Sequence, residues 1–149
     1  MRHARGFTLL ELMVVLMIVG LMSSLSVAWL DDGQAQSRRA LEQLASDAAT
    51  QAARARHEGR VLGLRWNGKA PEFVSLQRQG NTSYWRAERP GGATWPAQLR
   101  PDWPVSAQPR VVFTPWGVER PATVTWHWAD GQARWRWGRD GRLDIAGSP

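Results

Sequence analysis

Glu11 is the residue whose placement most demands a chemical role. It is the one charged residue in the run Phe7 to Leu30, FTLLELMVVLMIVGLMSSLSVAWL. A carboxylate inside an apolar span costs about 2.5–3.5 kcal/mol on insertion scales, so it needs a partner. Other reactive groups do not assemble. His3, His57 and His127 lie in the first residues, at a helix end and on a strand, without metal-ligand spacing. Cysteine is absent, which excludes disulfides and thiolate metal sites. There is no glycine-rich phosphate loop and no G-x-S-x-G. The vicinal pair Asp31-Asp32 reads as a solvated boundary. We therefore expect no enzyme and no cofactor. A second cluster, Arg134, Arg136, Arg139 and Arg142, has the character of a phosphate-contacting patch, interrupted by Asp140 and Asp144.

These groups must be positioned by elements of unlike kinds. Phe7 to Leu30 would form a helix about 36 Å long at ~1.5 Å per residue, enough to cross a hydrocarbon core of ~30 Å. Arg2 and Arg5 flank its start, which places the N-terminus in the cytoplasm and the bulk of the chain outside it. A plain membrane anchor explains these features. So does a secretory signal, with Ser26-Val27-Ala28 as the cleavage site. Neither accounts for Glu11.

The segment Gly6-Phe7-Thr8-Leu9-Leu10-Glu11, followed by the unbroken apolar stretch, resembles the type IV pilin and type II secretion pseudopilin family. The resemblance implies that a prepilin peptidase cuts between Gly6 and Phe7 and methylates the new N-terminus. Glu11 then becomes the fifth mature residue. It can neutralise the Phe7 ammonium of a neighbouring subunit, since a close pair offsets much of the desolvation that either charge would suffer alone. One departure is Ala28, which stands where many major pilins carry a helix-kinking proline.

Beyond the membrane segment, Leu41, Leu44, Ala45, Ala48, Ala52 and Ala55 recur at three- and four-residue steps within Ser37–His57. They form one apolar stripe on an alanine-rich helix, suited to close packing on a sheet. Asp31-Asp32-Gly33 marks the junction with the apolar helix, and Gly59 its end. After Gly59 the helical period disappears. Strands are predicted at Val61–Trp66, Glu72–Arg78, Ser83–Glu88, Arg110–Thr114, Ala122–Trp128, Ala133–Trp137 and Arg142–Ile145, with a proline-rich loop over Trp95–Pro109. A two-residue turn at Asp130-Gly131 would pair Trp126 with Trp135 and Val124 with Trp137. Val124, Trp126, Trp128, Ala133, Trp135 and Trp137 then share one face, and Thr125, His127, Arg134 and Arg136 the other.

Ten tryptophans in 149 residues invite sugar or nucleic-acid stacking. The four on the hairpin face read instead as cover for a half-buried sheet. Trp95 and Trp103, in the proline loop, read as a partner surface.

The fold class is α+β: a long N-terminal helix, half transmembrane and half amphipathic, packed on an antiparallel β domain of two small sheets. By resemblance, residues 1–6 are a leader, 7–30 the transmembrane and filament-packing helix, 31–58 a periplasmic helix and 59–149 a periplasmic β domain. The stretches Val111-Val112-Phe113-Thr114-Pro115-Trp116-Gly117 and RWGRDGRLDIAG are similar to the H-type minor pseudopilins and related minor pilins (the GspH/FimT family). That likeness implies a structural subunit of the secretion pseudopilus, anchored in the bacterial inner membrane. Its partners would be other pseudopilins and the prepilin peptidase. The alternative is a FimT-like minor pilin that captures DNA through Arg134, Arg136, Arg139 and Arg142. The net charge of +6 suits anionic partners, and equally solubility alone.

Overall fold

The computed structural model of the chain describes residues 8–88 and 94–148, with the side chains of 23–32 and 148 outside the description. Helix α1 spans Leu9–Glu58. Among the described residues nine strands follow it: β1 (Leu62–Trp66), β2 (Pro71–Gln79), β3 (Thr82–Ala87), β4 (Arg100–Pro101), β5 (Val111–Thr114), β6 (Gly117–Val118), β7 (Ala122–Trp128), β8 (Gly131–Trp137) and β9 (Leu143–Ser148). They build two antiparallel sheets, ordered β3-β2-β1-β5-β6 and β4-β7-β8-β9. The architecture is the α+β arrangement expected. The helical assignment runs through Asp31-Asp32-Gly33, so the predicted junction does not interrupt the element.

The chain divides into two compact units, Met1–Ala35 and Gln36–Pro149. In the first, α1 starts at a cap. The Glu11 N–H donates to the Thr8 carbonyl at 3.0 Å and to Thr8 Oγ1 at 3.3 Å. Thr8 is thus the N-cap and Glu11 the third helical residue, the T-x-x-E spacing of a capping box. From Leu9 to Met22 every large apolar side chain is exposed. Among the described residues no helix is long and apolar enough to cross a membrane. The predicted span of 7–30 includes Phe7 and the side chains of 23–30, which lie outside the described residues.

In the second unit, the stripe on α1 becomes the helical wall of the core. Leu41, Leu44, Ala48 and Ala55 are buried in one cluster with Leu62 and Leu64 of β1, Val111 and Phe113 of β5, and Val124 and Trp126 of β7. Alanine at these positions lets the helix backbone approach the sheets. Ion pairs bracket the helix end: Arg54 with Glu58 at 3.3 Å and Glu88 at 3.7 Å, and Arg60 with the same two carboxylates at 3.4 and 3.5 Å.

The core is dominated by indoles. Trp126 is fully buried, with the rings of Trp95, Trp135, Trp103 and Trp66 centred 5.4, 5.7, 6.3 and 6.4 Å away. Trp137 stacks on this group through Trp103 at 6.2 Å and Trp135 at 5.7 Å. Among the described residues the Trp126 Nε1 has no conventional acceptor. The surrounding indole faces are weak acceptors and the available compensation.

Two expectations are corrected here. Trp95 and Trp103 are not a partner surface; Trp103 is buried and Trp95 half-buried against the core. Their indole N–H groups donate to backbone carbonyls, Trp95 to Leu99 at 2.8 Å and Trp103 to Thr123 at 3.0 Å, which is what lets a loop tryptophan turn inward. The loop also contains a strand, because Arg100–Pro101 pairs with His127 and Trp126. Proline is tolerated there since β4 is an edge.

The second correction is the register of the last hairpin. Trp128 pairs with Gly131, so the turn is Ala129-Asp130, and Trp126 faces Ala133 rather than Trp135. Every hairpin indole thereby meets a smaller residue: Trp135 faces Val124, and Trp137 faces Ala122. A Cβ at Gly131 would lie 2.7 Å from the Trp128 ring, so the bare glycine is what admits that indole. The shift is by an even number of residues, so both predicted faces survive it.

Candidate functional site

The expected processing site falls at the edge of the description. Gly6 and Phe7 lie outside the described residues, and the first described feature is the Thr8 cap. Glu11 is exposed in the first turn of α1, near the positive end of the helix dipole. The carboxylate is thus accessible to a group from outside its own chain. Thr8 went unnoticed in the sequence, although the Thr8–Glu11 spacing was available to find it. The cap fixes where the helix begins, at Leu9, the third residue after the predicted cut.

The arginine cluster divides between two elements. Arg134 and Arg136 project from the solvent face of β8, opposite Thr125 and Thr123 of β7. Arg139 and Arg142 occupy the turn leading to β9, and both are exposed. Acidic neighbours moderate two of the four. Arg136 approaches Asp144 at 3.7 Å, Arg142 approaches Asp140 at 3.8 Å, and Arg134 has no ion pair among the described residues. Such exposed pairs are worth only ~0–1 kcal/mol and are screened by salt.

The turn bearing Arg139 is tied to another segment singled out from sequence. The Val118 N–H donates to the Arg139 carbonyl at 3.1 Å. Gly117, with φ of +134°, lies so close that a Cβ there would collide with that carbonyl. The two C-terminal stretches that resemble the H-type family are therefore one structural unit. Within it, Thr114 Oγ1 donates to the Gly117 carbonyl at 2.9 Å and lies 3.3 Å from the Trp116 N–H. These bonds hold Trp116 outward with 89% of its surface exposed. Sequence reasoning picked Trp95 and Trp103 as the surface tryptophans and missed this one. Its position between Pro115 and Gly117, at the tip of a tight turn, was the available signal.

His57 is exposed in the last turn of α1 and His127 is exposed on β7, remote from each other in the chain. Among the described residues no three His, Cys, Asp or Glu side chains come together as a metal site. No curated protein and no solved structure matches the chain. Residues 1–27, which contain Gly6, Phe7, the Thr8 cap and Glu11, do match a known pattern: the prokaryotic N-terminal methylation motif, the signal of type IV pilins and pseudopilins.

Proposed function

We propose that the chain is a minor pseudopilin of the H type, a structural subunit of the type II secretion pseudopilus that takes part in its assembly and in the export of folded proteins. The observation that carries this reading is the methylation motif over residues 1–27 joined to a helix whose described apolar residues are exposed on all sides. Such a helix needs lipid or protein around it, and a filament supplies the second after the membrane has supplied the first. On this reading the peptidase cuts after Gly6, Phe7 receives the methyl group, and Glu11 pairs with the ammonium of a neighbouring Phe7. The domain from Gln36 onward faces the periplasm. The role is one of packing rather than catalysis.

N-terminal sequencing of membrane-purified protein tests it directly. The expected product begins at methylated Phe7, and Gly6→Ala blocks its formation. A product beginning at Trp29 would establish an ordinary secretory signal and end the pseudopilin reading. Glu11→Gln is expected to leave cleavage and domain stability unchanged and to reduce incorporation into filaments.

A second reading, a minor pilin that binds DNA for uptake, has one specific observation in its favour: all four arginines of the C-terminal cluster are exposed. Salt dependence separates the two. Phosphate contacts by these arginines would steepen the salt dependence of duplex binding by ~0.9 in log K against log salt per contact. We expect only weak retention, because Asp140 and Asp144 lie within the cluster. Micromolar binding at physiological salt, lost when all four are replaced by glutamine, would favour DNA capture.

A further inference from the structure

The two sheets of the Gln36–Pro149 unit have four edges, and they are not alike. β4 has two residues and one is Pro101; β6 also has two residues. β3 is longer but carries Arg86. Shortness, proline and charged side chains are devices that discourage a further strand from adding. β9 is neither short nor interrupted by proline, and its one charged side chain, Asp144, is paired with Arg136 of β8. The strand is six residues long, LDIAGS, and among the described residues is hydrogen-bonded to β8 on one side only.

The core face beside β9 is also one strand short. Trp135 is buried, yet Ile145, its direct partner on the same face, is 55% exposed. Ile145 lines a groove of about 360 Å³ together with Leu41 of α1, Ala133 and Trp135. Gly147 borders the same groove, and a Cβ there would meet nothing within 4 Å. On the other face, Arg136 has Asp144 as its neighbour across β9, whereas Arg134 faces Ala146. A strand beyond β9 would lie about 10 Å from β8, and only the Ala146 methyl group stands in the way of the long Arg134 side chain.

We propose that the free edge of β9 accepts one more strand: an extended segment of another protein chain, apolar where it faces the groove and acidic opposite Ala146. Backbone pairing along Leu143–Ser148 supplies the attachment, the groove takes an inward apolar side chain over Ile145, and Arg134 reads the outward carboxylate. This interface is independent of whether the chain serves secretion or DNA capture.

Two labelled nine-residue peptides test it, both alternating valine with threonine, one with a central glutamate and the other with glutamine on the threonine face. Fluorescence anisotropy with the full chain in detergent is expected to show saturable binding, about two- to five-fold tighter for the glutamate peptide. Hydrogen exchange should show new protection confined to β9 amides. Ile145→Lys should weaken both peptides at least tenfold, and Ile145→Thr, a milder change at this half-exposed site, should weaken them less. Ala146→Asp should abolish the preference for glutamate by giving Arg134 a partner within its own chain. Absence of saturable binding, or binding indifferent to both Ile145 variants, would overturn the proposal. Equal binding of the two peptides would remove the acidic position. Self-association that rises with concentration and disappears in Ile145→Lys would assign the edge to a second copy instead.

Discussion

Leu16 and Leu64 are the same residue in opposite circumstances: Leu16 is 63% exposed on α1, whereas Leu64 is fully buried on β1. The contrast extends to their surroundings. Around Leu16 the apolar residues run round the whole helix, so no rotation of the helix could hide them. Around Leu64 they follow the two-residue period of a strand and the three-to-four-residue period of a helix, so facing elements bury one another. The Gln36–Pro149 unit meets its own solvation needs internally. The Leu9–Met22 segment leaves its apolar side chains exposed among the described residues.

Substitutions can break that contrast, and the largest effect should come from the centre of the indole cluster. Trp126→Ala removes a fully buried ring that four others contact, and should lower domain stability by about 3–5 kcal/mol in denaturant unfolding. Leu16→Ala, in the exposed segment, should change the same transition by less than about 0.5 kcal/mol. Equal effects would mean that the two units unfold as one.

Next in size is Gly117→Ala. The positive φ and the collision with the Arg139 carbonyl should together cost about 1–3 kcal/mol and loosen the turn that holds Trp116. Trp116→Ser should leave stability nearly unchanged, since the ring is exposed. A large loss there would show that the ring packs on something.

The smallest effect concerns pH. The Arg54 hydrogen bond, helped by Arg60, holds the Glu58 carboxyl below its ordinary value of 4.5. A depressed carboxylate adds stability above its unfolded pKa, and this is lost as pH falls through the folded value. Glu58 is exposed, so the contribution is slight. Thermal scans should show a marginally flatter acid limb for Glu58→Gln, with a small pH-independent deficit above neutrality that closes as pH falls.

Much of this was legible in the sequence. The α1 stripe of Leu41, Leu44, Ala48 and Ala55, all seven predicted strands and the two faces of the last hairpin follow from periodicity, because side-chain direction is set locally by backbone geometry. The methylation motif was equally legible, since it is carried by one linear segment. What tertiary structure alone decided was pairing and burial. The hairpin turned at Ala129-Asp130 because Trp128 needed the bare face of Gly131. Trp95 and Trp103 turned inward because carbonyls at Leu99 and Thr123 could accept their N–H groups. Trp116 stayed outside because its turn is locked onto the Arg139 carbonyl. Thr123 and Arg139 lie far along the chain from the groups they hold, and the Leu99 and Gly131 contacts, though close in sequence, depend on how a ring meets the backbone. Neither composition nor spacing encodes where such an atom will be.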